Sequence, residues 1–254
     1  MKRMRSIFVV MYLFAGHTYA VDLRKSGFDY MSPALQAMQK DDSQNPATLW
    51  GLEGETLWHK PAGAHGKSCA SCHGDAAKNM RGIAATYPLF NVELQRPLNL
   101  AGRINLCRQQ KQDAQPLEPE NAELLSLESF VARQSRGMPI ASYRDPRLSP
   151  FFVRGEQHFK QRIGQLNLSC AQCHDSNADK RLGGNPITQG HPTGYPIYRL
   201  EWQGMGSLQR RIRTCMAGVR AEPFAFNAIE MMELETYLAS RASGMLLDAP
   251  AVRP

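Results

Sequence analysis

Nowhere in its 254 residues does the chain hold the run of about 18 apolar residues that a membrane-spanning helix requires. Low-complexity tracts are missing too, and so is any block of lysine and arginine of the kind that marks a nucleic-acid surface. These absences exclude a bilayer-spanning bundle and a basic nucleic-acid binder. What remains is a chain with 43% hydrophobic residues, enough to build the core of one large domain or two small ones.

The first twenty residues have the layout of a secretory signal. Lys2, Arg3 and Arg5 form a basic start, Ile7 to Ala15 an apolar run too short to span a bilayer, and Thr18-Tyr19-Ala20 a small-residue cleavage site. The expected mature start lies near Val21, and the expected location is the periplasm. The formal net charge is +7; less the three charges of the signal, the remainder carries +4. That mild excess suits an anionic substrate or an acidic partner.

Six cysteines in an exported chain first point to disulfides, but their spacing points elsewhere. Cys69-Ala70-Ser71-Cys72-His73 and Cys170-Ala171-Gln172-Cys173-His174 are two C-x-x-C-H motifs. Two thiols at this spacing can add across the two vinyl groups of one haem, and the histidine that follows can offer its imidazole to the iron. A zinc ribbon would use both cysteine pairs without needing either histidine. The sequence therefore predicts two covalently bound haem c groups. Cys69, Cys72, Cys170 and Cys173 would attach them, with His73 and His174 as proximal ligands.

The motifs lie 101 residues apart, and the sequence around them repeats. Tyr87-Pro88-Leu89-Phe90 matches Tyr195-Pro196-Ile197-Tyr198. Arg103-Ile104-Asn105-Leu106-Cys107 matches Arg211-Ile212-Arg213-Thr214-Cys215, and in both copies the tyrosine precedes the cysteine by 20 residues. Leu127-Glu128-Ser129-Phe130-Val131-Ala132 matches Leu234-Glu235-Thr236-Tyr237-Leu238-Ala239. Here Leu124, Leu127 and Val131 correspond to Met231, Leu234 and Leu238, with the apolar spacing of an amphipathic helix. Each copy closes on Gly-Met, at Gly137-Met138 and Gly244-Met245. The predicted fold is all-α: two tandem cytochrome c-like domains, 21–145 and 146–254, after the signal 1–20. A linker is expected near Met138 to Pro150, where Pro139, Pro146 and Pro150 interrupt any helix. The second copy has a longer loop, and its segment Gly183 to Gly194, rich in Gly and Pro, reads as irregular.

An electron-transfer cytochrome c usually places methionine opposite the histidine. Met80 follows the first motif too closely, and the second half offers Met205 and Met216. The repeat instead singles out Cys107 and Cys215. A thiolate is a soft, anionic donor that binds iron well and favours the ferric state. A Cys107–Cys215 disulfide, or an unliganded buried thiol in each half, are the alternatives. Equivalent positions favour a shared role, which gives the axial pairs His73/Cys107 and His174/Cys215.

Arg210, Arg211, Arg213 and Arg220 surround Cys215 in sequence. Nearby cations favour a thiolate and can hold an oxyanion in a fork of donors. On a helix, Arg211 would share the face of Cys215 one turn later. The first copy keeps Arg103 at that position and adds Arg108, but it lacks the wider cluster. The second half is therefore expected to carry the chemistry, the plainer alternative being a solvated basic helix face.

Cys215-Met216-Ala217-Gly218-Val219-Arg220-Ala221-Glu222-Pro223-Phe224 resembles the C-x-x-x-V-R-A-E-P stretch around the active cysteine of the SoxA family. These are dihaem c-type cytochrome subunits of the SoxAX complexes of bacterial thiosulfate oxidation. The resemblance covers nearly the whole chain after the signal, and the two haem motifs match the family's two-haem branch. It implies an L-cysteine S-thiosulfotransferase that joins thiosulfate oxidatively to a cysteine of a SoxYZ-like sulfur carrier, releasing two electrons. It implies a heterodimer with a SoxX-like small c-type cytochrome. It further implies Cys215 as the active cysteine, able to carry a persulfide, and Arg211 as the residue that binds thiosulfate. A dihaem thiosulfate dehydrogenase forming tetrathionate is the nearest rival, disfavoured by the Val-Arg-Ala-Glu-Pro stretch. A non-catalytic electron-transfer dihaem cytochrome would be marked by methionine ligands.

Overall fold

The computed structural model describes residues 22–141 and 145–254. The expected signal, 1–20, lies outside the described residues, as do 142–144 of the expected linker. The first half runs through α1 (Pro33–Lys40), α2 (Ala47–His59), α3 (Cys69–His73), α4 (Ala76–Asn79), β1 (Leu89–Asn91), β2 (Arg96–Leu98), α5 (Leu100–Cys107) and α6 (Ala122–Arg133). The second runs through α7 (Ser149–Lys160), α8 (Cys170–His174), β3 (Arg181–Leu182), β4 (Asn185–Pro186), β5 (Ile197–Arg199), β6 (Gly204–Gly206), α9 (Leu208–Gly218), α10 (Ile229–Arg241) and β7 (Ala251–Arg253).

The expectation of an all-α chain is thereby corrected: the protein is mainly helical, with a short antiparallel hairpin after each Tyr-Pro pair, β1–β2 and β5–β6. Pro88 and Pro196 lack the amide that a helix needs, and Gln95 and Gln203 take left-handed φ values of 50° and 49° at the two turns. Strand β7 adds to β5 in parallel, pairing Ile197 with Ala251, and so returns the chain end to the second half.

In each half one early helix crosses the closing helix: α2 packs on α6, and α7 on α10. Both crossings are made at a glycine. A Cβ on Gly54 would stand 2.0 Å from Ser126 O, and one on Gly155 would stand 2.0 Å from Glu233 O. The helices approach so closely that only hydrogen fits. Aromatic side chains fill the space below, with Trp58 against Phe130 at 5.7 Å and Phe159 against Tyr237 at 5.2 Å between ring centroids. Fully burying a side chain of this kind contributes about 1.5–3 kcal/mol.

The two Gly-Met closures meet each other. Gly137 N donates to Leu247 O at 2.7 Å, Ile140 N to Met245 O at 2.8 Å, and Gly244 N to Ile140 O at 2.8 Å. Ala85, Ala132, Ile140, Ala242, Leu247 and Ala249 form the apolar cluster behind this seam. The halves are thus fastened to each other rather than strung on a free linker.

Candidate active site

The two haem motifs begin short helices for a local reason. Ser169 caps α8: its Oγ accepts from Gln172 N at 3.2 Å, and the Gln172 side chain accepts in return from Ser169 N at 2.9 Å. Ser68 caps α3 without that reciprocal bond, its side chain accepting from Ser71 N at 3.0 Å.

His174 ends α8, and its Nδ1 lies 2.7 Å from Thr188 O. A carbonyl only accepts, so Nδ1 carries the proton and Nε2 keeps a lone pair for a metal. Thr188 belongs to the longer loop of the second copy. Gly190 of that loop, at φ +75°, lies against the ring, where a Cβ would stand 3.1 Å from His174 Cγ. Phe159 flanks the ring at 6.5 Å between centroids. In the first half, Trp58 holds the corresponding place beside His73 at 5.7 Å, and its Nε1 donates to Gly74 O at 3.1 Å.

Cys107 is the last residue of α5, and Cys215 lies in the last turns of α9. Backbone hydrogen bonds tie the loop before each haem motif to the end of the cysteine helix. His65 N donates to Gln112 O at 3.1 Å in the first half, and Gln165 N to Arg220 O at 3.2 Å in the second. Gly63 and Gly164, both left-handed, make this contact possible, since a Cβ would stand within 2.2 Å of a carbonyl oxygen across it. Each half thereby brings its histidine-bearing motif and its lone cysteine together. Cys107 lies close enough to help raise the Cys69 thiol, and Cys215 does the same for Cys170, which burial chiefly pushes up to about 11.

The second site goes further. Burial raises the Cys215 thiol, but a hydrogen bond with His174 and the charges of Arg211, His174 and Arg199 outweigh it, and the net direction is down. Cys215 is exposed by surface area although protein crowds it. No disulfide joins Cys107 to Cys215. Met205 packs with Ala47 and Leu125 at the seam between the halves, and Met80 lies in the core beside Cys69 and Ala70.

Only part of the expected arginine cluster meets the thiol. Arg210 stacks on Trp202 at 4.2 Å, and Arg213 covers Phe226 at 4.7 Å and donates to Phe224 O. Arg220 takes a left-handed φ of 58° at the end of α9 and is exposed. Arg211 does act on Cys215, as one turn of helix dictates. Its companion is Arg199 on β5, which sequence spacing did not single out. Arg199 is buried, donates to Pro254 O at 2.9 Å, pairs with Glu201 at 2.7 Å and stacks on Trp202 at 5.1 Å. Tyr195 adjoins the same group and is pushed up to about 12, chiefly by burial. One signal could have found Arg199: it stands four residues after Tyr195, where the first copy has Asn91 four residues after Tyr87.

The donor set and its surroundings fit a haem. His174 with its Nε2 unprotonated, the nearby Cys215 thiol, the attachment cysteines Cys170 and Cys173, and the apolar cluster of Phe159, Leu234, Tyr237 and Leu238 with Ile212 packed against it supply the donors and the apolar surroundings that a haem c needs.

The family model described as the SoxA/TsdA cytochrome c domain matches residues 53–140 and 154–247, one span in each half. The chain is 35% identical to the L-cysteine S-thiosulfotransferase subunit SoxA of Pseudaminobacter salicylatoxidans over 240 residues, 94% of this chain and 83% of that protein. It is 31% identical to the subunit of the same name from Rhodovulum sulfidophilum, covering 90% of this chain and 80% of that one. The crystal structure of SoxXA from P. pantotrophus resembles it with a TM-score of 0.87 at 29% identity, covering 91% of this chain and 87% of that chain.

Proposed function

This chain belongs to the SoxA/TsdA cytochrome c family, and from that premise we propose that it is the SoxA-type subunit of an L-cysteine S-thiosulfotransferase. In this reading it is exported to the periplasm after loss of residues 1–20. Its domains, 21–145 and 146–254, each hold one haem c, on Cys69 and Cys72 and on Cys170 and Cys173. The axial pairs are His73/Cys107 and His174/Cys215. Its partners are a SoxX-like small c-type cytochrome and a SoxYZ-like sulfur carrier.

The overall reaction joins the carrier's thiol to thiosulfate. One sulfur–sulfur bond forms, one proton leaves the thiol, and two electrons pass to c-type cytochrome. Haem bound in the second half would supply an electron acceptor beside the reacting sulfur. The chain's own residues do the rest. Arg211 and Arg199 hold the sulfonate end of thiosulfate with charge-assisted hydrogen bonds. Cys215, kept as thiolate by these cations, presents its sulfur to the terminal sulfur of the substrate. Thr188 O holds the proton of His174 on Nδ1, which leaves Nε2 as the nitrogen that would hold the metal.

The observation that carries the reading is the meeting of His174, Cys215, Arg211 and Arg199 in the second half, with Asn91 in place of the second arginine in the first. The test pairs two variants of the purified complex, assayed for thiosulfate-dependent reduction of a c-type cytochrome with carrier present. Cys215→Ser is expected to abolish turnover, while Cys107→Met alters the first haem's spectrum and leaves substantial activity. A sulfur adduct should map by mass to Cys215. An active Cys215→Ser protein, or an adduct on Cys107, refutes the assignment. Tetrathionate formation without any carrier would favour the dehydrogenase reading instead.

A further inference from the structure

The closing helices of the repeat put a glutamate at the same place, Glu128 on α6 and Glu235 on α10. Both line a cavity of about 120 Å³ between the halves, which Tyr87 and Tyr195 also reach. Glu235 is 6% exposed. It accepts from Asn99 Nδ2 at 3.0 and 3.3 Å and from Gln209 Nε2 at 2.5 Å. Asn99 is the N-cap of α5, the helix that ends at Cys107. Gln209 lies in the first turn of α9, the helix that carries Cys215. One carboxylate therefore holds the start of both cysteine-bearing helices. At 1.5 Å of rise per residue, Cys107 lies about 12 Å from one tie along its helix, and Cys215 about 9 Å from the other. Across the cavity, Glu128 Oε2 is buried with no hydrogen-bond partner among the described residues, a poor place for an anion and a tolerable one for a neutral acid.

We propose that Glu235 is a positioning residue that sets Cys107 and Cys215 jointly, and that its charge state, sensed across the cavity by Glu128, links the state of the two ligand sites. This rests on the reading of both cysteines as iron ligands. As a carboxylate, Glu235 receives charge-assisted hydrogen bonds, roughly twice as strong as neutral ones. Protonation weakens them, and both helix starts slacken together. Burial pushes Glu235 up to about 7 and, with the charges of Glu235 and Glu120, Glu128 up to about 8. Both groups thus change charge near neutrality, and a charged Glu235 disfavours the charged form of Glu128. The other ionisable groups lining this cavity are Glu120, 4.0 Å from Arg210, and the two tyrosines; outside the lining, Arg96 donates to the backbone of the lining residue Asn227 at 2.7 Å.

The test follows the absorption and paramagnetic resonance spectra of the purified holoprotein from about pH 5 to pH 9, a window that spans both groups. In the unaltered protein the thiolate-type signals of both halves should shift with one shared midpoint near neutrality. Glu235→Gln should remove the shift in both halves, and Glu128→Gln should move the midpoint while keeping it. Asn99→Ala should remove the response from the first half alone, and Gln209→Ala from the second alone. A Glu235→Gln protein that titrates as the parent does overturns the proposal. Should that variant fail to fold, the two single-tie variants decide in its place: a loss from both halves, or from neither, overturns it. Absence of thiolate-type signals from the parent protein overturns the ligand reading itself.

Discussion

Replacing Arg199 tests the anion site at its least obvious member. The side chain is buried, stacked on Trp202 and fixed by Pro254 O, so its charge stands beside Cys215 with little freedom and little screening. Removing a hydrogen bond to a charged group costs roughly 1.5–3 kcal/mol. At 1.4 kcal/mol per factor of ten, Arg199→Gln should lower kcat/KM for thiosulfate about ten- to hundred-fold. Arg211→Gln should fall in the same range, and Arg199→Lys should recover part of the loss, since it keeps the charge but not the planar fork. If both arginines grip one sulfonate, the double variant will lose less than the sum of the single losses. The assay is steady-state reduction of a c-type cytochrome at varied thiosulfate, with Arg103→Gln as the matched control in the first half. A kcat/KM within twofold of the parent for Arg199→Gln, or an equal loss for Arg103→Gln, would refute the reasoning.

Gly155→Ala forces a methyl group to 2.0 Å from Glu233 O. Overpacking of this kind costs about 3 kcal/mol and should lower Tm by roughly 6–12 °C in a chain of this size, measured by circular dichroism. Glu128 has its folded value raised to about 8, so the folded chain keeps a proton that the unfolded carboxyl, near 4.3, gives up. That stability is present below about pH 4 and is lost as pH rises through about 8. Glu128→Gln should therefore raise Tm at about pH 8.5 and leave it unchanged at about pH 4, and an equal gain at both pH values would count against the burial argument. Gly190→Ala presses on the His174 ring and strains a left-handed backbone. It should alter the spectrum of the second half and spare the first.

Much of the fold was legible because covalent chemistry and repetition both leave spacing in a sequence. The two C-x-x-C-H motifs, the paired Cys107 and Cys215 and the closing helices needed only counting. The crossing glycines were overlooked although Gly54 and Gly155 keep the 101-residue offset of the motifs. A single glycine carries no signal until the backbone pressed against it is known. The hairpins were missed because three-residue strands are too short for alternation to show. The arginine cluster was misjudged for a related reason. Neighbours in sequence fan out around a helix, so Arg210 and Arg213 leave Cys215 for Trp202 and Phe226. Arg199, sixteen residues earlier, arrives from a strand.

The difference between the halves follows from additions to a shared frame. Both copies cap the motif helix with serine, cross two helices at a glycine, set an aromatic ring beside the histidine and place a cysteine after an arginine. The second copy adds two things. Its longer loop supplies Thr188 O and Gly190 to the back of His174, and β5, clamped between β6 and β7, supplies Arg199. The first addition fixes the orientation of the imidazole, and the second places a buried cation beside an accessible sulfur. Neither belongs to the attachment motif, which the first copy has without them. Both are what an anion-handling thiolate needs: a fixed partner on one side and a fixed positive field on the other. The asymmetry is therefore better explained by chemistry in the second half than by packing. It makes the C-terminal strand part of the site, because β7 and Pro254 O hold Arg199 in place.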